Sequence, residues 1–286
     1  MPSTRRRAHL TSRPARLARR RGVWALTAAG ALALSGCAGS AAGTGSAPAS
    51  GPNAGAAGTH TRSSGDETVT VLAAASLTEA FGAIARQVEH DHPGTTVEVS
   101  FAASSTIVQQ VNEGAPADVI ALAGQEALKP LDRSLLATGS TRVFAGNSLE
   151  IATPPSNPAH ITSLSDLAQP SVDVVLCAAQ VPCGDAAKAT LAKAGVTAHV
   201  VSYERDVKAA LAKVELGEAD AAIVYRSDVA TAGGRVHGVP IPGTVNEVLH
   251  YPIARLDDSP GARAFVAAVL SPKGQQRLHA DGFQSP

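Results

Sequence analysis

The sequence from residue 67 onward predicts an α/β protein with mostly parallel strands. Short apolar stretches alternate along this part of the chain with stretches whose apolar residues recur at helical spacing. Such alternation is typical of β-α-β units, in which helices cover a largely parallel sheet. The length is sufficient for one large domain or for two lobes.

The first predicted strand–helix unit suggests an anion site. Residues 69–73 are mostly apolar or β-branched and predict a buried strand, and the helix that follows carries apolar residues from Phe81 to Val88. Between them, Ser76 and Glu79 have the spacing of a capping box, in which the serine hydroxyl satisfies a free N–H. Because a helix start also presents unpaired N–H groups and a positive dipole end, we predict that Ser76 holds an anion as well as, or instead of, capping its helix.

Further elements follow the same alternation. Strands are predicted at 97–101, 118–123, 149–153, 172–177, 198–201, 221–225 and 250–254. Helices are predicted at 104–114, from 163, and at 185–194, 206–217, 260–270 and 273–280. Several of these helices begin with small, hydroxyl or acidic residues just after a strand or a turn. Ligands of open α/β sheets bind outside the carboxyl ends of the strands, so converging helix starts predict an anion site that needs no cation.

The N-terminal segment predicts export. Residues 1–22 contain eight arginines and no acid, and 23–34 form an apolar run that is too short to span a membrane comfortably. An ordinary signal peptide and an arginine-rich nucleic-acid arm are the alternatives, and the apolar run argues against the arm. The ending Leu-Ser-Gly-Cys37 is similar to a bacterial lipobox. We therefore predict a lipoprotein signal peptide at 1–36, with Cys37 lipidated at the outer face of the cell membrane.

Residues 37–66 predict a flexible tether, because they are almost wholly Ala, Gly, Ser, Thr, Pro and Asn. The formal net charge of +0 hides an asymmetry. The signal carries 8 of the 24 basic residues and no acid, which leaves 24 − 8 = 16 basic against 24 acidic residues, or −8. A mildly acidic chain without a basic patch does not suit nucleic acid.

Two cysteines remain after Cys37. Cys177 and Cys183 lie six positions apart with Pro182 between them, and an exported chain permits a disulfide. The alternative is a pair of buried thiols. No second Cys or His pair stands at zinc-ligand spacing.

Catalytic signatures are lacking in the sequence. It contains no G-x-S-x-G, H-E-x-x-H, Walker A or G-x-G-x-x-G pattern. His90 and His92 are interpreted as solvated residues at a helix end. Asp185 and Asp206 stand at helix starts with no acid–base spacing. We therefore expect a binding protein without a cofactor, rather than an enzyme.

The chain from 67 to 286 resembles the molybdate-binding protein of bacterial ABC importers. The matching stretches, in order, are 73–78 (AAASLT), 101–106 (FAASST), 114–119 (GAPADV), 146–149 (GNSL), 181–184 (VPCG), 206–207 (DV), 223–228 (IVYRSD), 251–254 (YPIA) and 282–283 (GF). One motif alone would be weak, whereas several in the same order are specific.

This resemblance implies a two-lobed periplasmic-binding-protein fold of class II, with mixed sheets flanked by helices and a ligand cleft between the lobes. The first lobe would take residues 67–147 and 246–286, and the second would take 148–245. The ligand is implied to be held as an oxyanion, with no direct metal ligands.

Five oxyanion-binding residues carry over from the family: Ser76, Ser104, Cys183, Val207 and Tyr225. The serines would offer hydroxyl and N–H groups, Cys183 and Val207 their backbone N–H, and Tyr225 its hydroxyl. Cys183 stands where the family often has alanine, a change that a backbone donor survives. Asp185 would repel an anion, so we expect its carboxylate to point away from the cleft.

The expected function is a monomeric, lipid-anchored receptor that binds molybdate or tungstate and delivers it to the permease of an ABC importer. A receptor for sulfate or another tetrahedral oxyanion is one alternative. An extracytoplasmic enzyme or sensor partner on the same fold is another.

Overall fold

The computed structural model describes residues 67–286. The predicted signal peptide, the lipidated Cys37 and the tether lie outside these residues. The described part contains nine strands: β1 Glu67–Ala74, β2 Thr95–Ala102, β3 Val119–Ala121, β4 Arg142–Thr153, β5 Val174–Cys177, β6 Val200–Glu204, β7 Ala221–Tyr225, β8 His237–Pro240 and β9 Val248–Arg255.

Seven α-helices accompany these strands: α1 Thr78–Asp91, α2 Ser104–Asn112, α3 Pro182–Ala194, α4 Val207–Glu215, α5 Arg226–Thr231, α6 Pro260–Leu270 and α7 Pro272–Ala280. Short 3-10 helices lie at Ala75–Leu77, Gln125–Leu128, Arg133–Leu135 and Leu164–Ala168. Within residues 67–286, none of the helices has the length and apolar character needed to cross a membrane.

The strands follow the order β2-β1-β3-β9-β4-β7-β5-β6, and β8 pairs with β4. The strands β1, β2 and β3 pair in parallel, as do β5, β6 and β7. All pairings made by β4 and β9 are antiparallel. The arrangement is therefore mixed, as the family resemblance implies, and the expectation of mostly parallel strands is wrong for the two central strands.

Strand β4 connects the two halves of the molecule. Its residues 142–148 pair with β9, whereas 149–152 pair with β7 and 150–153 with β8. The first lobe is the half built from β1–β3 with α1, α2, α6 and α7, and the second lobe is the half built from β5–β8 with α3–α5. At the crossing, the Asn246 side chain accepts from the Leu149 N–H (3.0 Å) and donates to the Leu149 carbonyl (2.8 Å), which fastens the return connection to β4.

An aromatic cluster fills the first lobe beside β9. The rings of Phe81 and Phe265 lie 5.4 Å apart, and Tyr251 lies 6.2 Å from Phe144 and 5.5 Å from Phe283. These side chains are almost fully buried, and such edge-to-face pairs stabilise a core beyond their buried area. The cluster fixes Tyr251 next to the junction of the lobes.

Several predicted elements need correction. Strand β4 begins at Arg142 instead of 149, since its first half contains Gly146 and Asn147 and does not look like a buried strand. Helix α3 begins at Pro182 instead of 185, because proline is well suited to the first helical position. Strand β6 occupies 200–204 instead of 198–201, and the short β8 and α5 are not predicted at all.

Candidate functional site

A small cavity between the lobes brings together all five predicted ligand-binding residues. Its volume is about 20 Å³. The first lobe lines it with 74–76, 102–104 and Ala123. The second lobe lines it with 181–183, 206–207 and Tyr225. No lysine or arginine occurs among these lining residues.

The sheet register places the two serines side by side. Strands β1 and β2 pair in parallel with Ala74 opposite Ala102, so both strands end at the same level. Ser76 lies in the 3-10 turn after β1, and Ser104 begins α2 after β2. Both serines are buried. Because β1 and β2 end at the same level, the two serines and the helix starts that contain them lie at the same edge of the sheet and line the same cavity.

The predicted capping box at Ser76 is wrong. A 3-10 turn intervenes, so α1 begins at Thr78, with Leu77 at the capping position and no side-chain cap. The Ser76 hydroxyl instead lies 3.0 Å from the Tyr251 hydroxyl, and Glu79 contacts Lys208 of the second lobe. The Ser76 side chain therefore does not cap its own helix, and its role in holding an anion stays a prediction.

Ser104 also has a protein partner. Its Oγ accepts a hydrogen bond from the Ala123 N–H at 2.9 Å. The accepted bond fixes the hydroxyl oxygen, while the hydroxyl proton remains available for another acceptor.

The second lobe contributes two helix starts. Cys183 is in the first turn of α3, and Val207 is the first residue of α4. N–H groups in a first turn have no partner within the helix, and the helix dipole places partial positive charge there. Asp206 also lines the cavity, but its Oδ1 already accepts from the Ala209 N–H at 2.9 Å as the helix cap.

Tyr225 completes the donor set. It ends β7 and is 2% exposed, and its hydroxyl has no hydrogen-bond partner among the described residues. Burial, more than any neighbour, raises the pKa of Tyr225 well above its ordinary value. The side chain therefore stays protonated and offers an O–H donor that no group among residues 67–286 receives as a hydrogen bond.

A disulfide holds the turn before α3. Cys177 at the end of β5 is bonded to Cys183, with Cα atoms 5.8 Å apart. The turn is so tight that a Cβ atom on Gly184 would lie 2.0 Å from the Ala178 carbonyl oxygen. Asp185, the next residue, is exposed and does not line the small cavity, but it lines a wider cleft beside it, so the expectation that its carboxylate points away from the cleft is not confirmed.

A charged triad spans the junction of the lobes near the cavity. Lys208 Nζ of the second lobe lies 2.9 Å from Glu79 of the first lobe and 3.1 Å from the buried Asp228. Burial raises the pKa of Asp228 to about 6, while Lys208 acts in the opposite direction. Sequence analysis missed this triad, because Lys208 and Glu79 are 129 positions apart and Glu79 was assigned to a helix cap.

A buried polar network behind Ser76 was also missed. Asn147, Ser227 and Tyr251 are each at most 1% exposed and connect to one another by hydrogen bonds. The available signal was the presence of polar side chains within otherwise apolar strands at 147 and 251.

Two other features of the molecule, a pair of histidines and a wider cleft, are less suitable as anion sites. His90 and His92 are exposed around the end of α1, and residues 67–286 contain no group of three or more His, Cys, Asp or Glu residues suited to a metal. A wider cleft of about 820 Å³ opens beside the small cavity, between α2, α3 and the start of β9. Its lining includes the acidic residues Glu113, Glu126, Asp185 and Glu247, so it suits an anion less well than the small cavity.

Comparison with known proteins gives consistent matches. The family model described as bacterial extracellular solute-binding protein matches residues 69–284. The molybdate-binding protein ModA of Mycobacterium bovis is 36% identical over 225 residues, which cover 78% of this chain and 86% of the relative. The Escherichia coli protein of the same name is 31% identical over 227 residues, covering 75% of this chain and 88% of the relative.

Solved structures support the fold. The periplasmic molybdate-binding protein of Azotobacter vinelandii superposes with a TM-score of 0.68 at 20% identity, covering 76% of this chain and 99% of that one. The sulfate-binding protein SubI of Mycobacterium tuberculosis gives 0.66 at 20% identity, with 77% and 87% covered. At this identity the likeness concerns the fold alone.

Proposed function

Because the chain belongs to the bacterial extracellular solute-binding proteins, we propose that it captures molybdate, and also tungstate, outside the cell and delivers it to the permease of an ABC importer. The observation that carries this proposal is the convergence of donors from both lobes on one small cavity without a cation. Identity of 36% to a molybdate-binding relative supports the choice of ligand.

The chemistry of the donor set suits a tetrahedral dianion. Each hydroxyl or N–H that reaches an anionic oxygen makes a charge-assisted hydrogen bond, which is stronger than a neutral one. A site composed of donors has nowhere to place a proton of the ligand, so hydrogen phosphate is disfavoured. Molybdate and tungstate are nearly equal in size and are both accepted, whereas the smaller sulfate leaves some donors stretched.

Binding is proposed to close the lobes. Both lobes contribute donors to the same ion, so the bound ion stabilises the arrangement in which the two walls are close. The permease then recognises the closed form.

Membrane attachment is part of the proposal. The family is extracellular, which agrees with export. A lipid on Cys37 would hold the domain at the outer face of the membrane, with 38–66 as its tether. The full-length Cys37→Ser variant should be found in the soluble fraction after cell fractionation. A variant that stays with the membranes would refute lipidation at this residue.

Thermal unfolding with added anions tests the ligand. We expect molybdate and tungstate at about 100 times the dissociation constant to stabilise the protein by roughly 2.7 kcal/mol. Sulfate at the same concentration should stabilise it less, and phosphate should have no effect. An equal shift with sulfate would favour a sulfate receptor. No shift with any of the four anions would contradict the binding function itself.

A further inference from the structure

A chain of buried hydrogen bonds runs from β4 to the cavity. Asn147 Nδ2 lies 2.8 Å from Ser227 Oγ and 3.3 Å from the Tyr251 hydroxyl. The Tyr251 hydroxyl in turn lies 3.0 Å from Ser76 Oγ, which lines the cavity. All four side chains are almost completely buried. Most buried polar groups in native proteins have hydrogen-bond partners, and the donors and acceptors that each side chain offers limit the direction of each bond.

A backbone N–H fixes the orientation of the Asn147 amide. The Ser148 N–H, which can only donate, lies 3.1 Å from Asn147 Oδ1. The amide oxygen must therefore face Ser148, and the NH₂ group must face Ser227 and Tyr251. Because an NH₂ group has two protons and accepts nothing, both of those hydroxyl oxygens act as acceptors.

The direction of the next bond follows from this one. The oxygen of Tyr251 already accepts from Asn147, and either oxygen of the bond between Tyr251 and Ser76 could donate. Ser76 Oγ is the acceptor at hydrogen-bond distance for the single proton of Tyr251, because the Tyr225 hydroxyl, which lies close enough to affect the pKa of Tyr251, forms no hydrogen bond among the described residues. Burial raises the pKa of Tyr251, so this proton stays in place at neutral pH. Ser76 Oγ then accepts from Tyr251, and its own proton is left for the cavity.

We propose that Asn147 and Tyr251 are positioning residues that make Ser76 a hydrogen-bond donor toward the ligand and thereby select fully ionised oxyanions. The proposal rests on the anion-binding function above. Without Tyr251 the Ser76 hydroxyl rotates freely and can accept a proton from a ligand such as hydrogen phosphate. Selectivity against protonated anions is thus determined by Tyr251 and Asn147, which act through Ser76 and do not contact the ligand themselves.

A double-mutant cycle tests whether Tyr251 acts through Ser76. Molybdate dissociation constants would be measured by titration calorimetry for wild type, Ser76→Ala, Tyr251→Phe and the double variant. We expect Tyr251→Phe to weaken binding three- to tenfold, and the double variant to match Ser76→Ala within twofold. Tyr203→Phe, the same change at a residue that is 62% exposed, is the control and should bind like wild type.

Competition by phosphate gives a second measurement that a merely structural role would not change. The ratio of the phosphate to the molybdate dissociation constant, obtained from this competition, should fall at least tenfold in Tyr251→Phe relative to wild type, whereas a structural defect that weakened both anions equally would leave the ratio unchanged. Retention of the aromatic ring keeps the contacts with Phe144 and Phe283, so the variant is expected to fold.

Three results would contradict the proposal. Additive losses in the double variant would mean that Tyr251 acts independently of Ser76. Unchanged molybdate affinity and unchanged phosphate competition in Tyr251→Phe would remove the positioning role while leaving the proposed function intact. Wild-type protein that bound none of molybdate, tungstate and sulfate would overturn the proposed function and this inference together.

Discussion

The two walls of the cavity are built on different principles. On the first-lobe wall, both hydroxyls are engaged by the protein itself, Ser76 by Tyr251 and Ser104 by the Ala123 N–H. On the second-lobe wall, Tyr225 has an unpartnered hydroxyl, and Cys183 and Val207 contribute N–H groups from helix starts. The hydroxyls of the first wall are thus held by protein contacts, whereas we predict that the donors of the second wall make their hydrogen bonds to the ligand. Substitutions on the two walls should therefore separate stability from affinity.

Tyr225→Phe should give the largest effect. Loss of a donor to a charged ligand costs about 1.5–3 kcal/mol, which corresponds to roughly 10- to 150-fold weaker molybdate binding. The free energy of unfolding without ligand should stay the same or rise, because the hydroxyl that is removed has no hydrogen-bond partner within residues 67–286. Calorimetric titration and urea unfolding would measure the two quantities. Unchanged affinity together with lower stability would place this hydroxyl in the fold and not in the site.

Ser104→Ala on the first wall should, unlike Tyr225→Phe, lower the stability of the protein without ligand. The Ala123 N–H is buried and would lose its acceptor, so the free energy of unfolding without ligand should fall by about 1–3 kcal/mol. Urea unfolding would measure the change, with Ser105→Ala on the next, half-buried position of α2 as the matched control. Equal stability of the two variants would remove the distinction between the walls.

Val207→Pro isolates a backbone donor on the second wall. Proline is accepted at the first position of a helix, and Asp206 already has the extended conformation that a residue before proline needs. We expect about tenfold weaker molybdate binding, as for a lost hydrogen bond to a charged group. Val207→Ala is the control, because it keeps the N–H while it shortens the buried side chain. Equal affinities of the two variants would show that this N–H does not contact the ligand.

Asp228→Asn tests the charged triad at the junction of the walls. Burial raises the pKa of Asp228 from 3.8 to about 6, against the opposing effect of Lys208. Between these values the folded state holds a proton that the unfolded state has released, so the contribution of Asp228 to stability falls as the pH rises from about 4 to 6. The slope is at most about 1.4 kcal/mol per pH unit for one proton.

Urea unfolding at several pH values would detect this effect. The unfolding free energy of Asp228→Asn minus that of wild type should become more positive from pH 4 to pH 6, because only the wild-type protein loses stability from this carboxyl. A difference that stayed constant would mean that Asp228 titrates at its ordinary pKa. Lys208 and the Tyr225 backbone N–H, which donates to Asp228 Oδ2 at 3.2 Å, lower the pKa of this carboxyl, whereas Glu79 raises it.

Local signals were sufficient to predict the donors at helix starts. Small or polar residues after apolar strands marked Ser76, Ser104 and Val207, and the family resemblance added Cys183 and Tyr225. The structure brings all five into one cavity. Their role as ligands remains a prediction.

Non-local pairing accounts for most of what the sequence did not reveal. Tyr251 reaches Ser76 because β9 inserts between β3 and β4, and no local pattern predicts that insertion. The first half of β4 was missed because Gly146 and Asn147 interrupt its apolar character. The contact of Lys208 with Glu79 joins helices from different lobes, so helical periodicity contains no information about it.

The position of β9 also determines the order in which the molecule can be completed during synthesis. The first lobe lacks the strand between β3 and β4 until residue 255 has been made. The second lobe has all its strands once residue 240 has been made. The N-terminal half of the domain is therefore the later one to finish, and its exposed β3 edge has to wait for a partner whose pairing residues lie more than a hundred positions away. Such distant pairing slows folding, so we expect the sheet of the first lobe to be completed after that of the second.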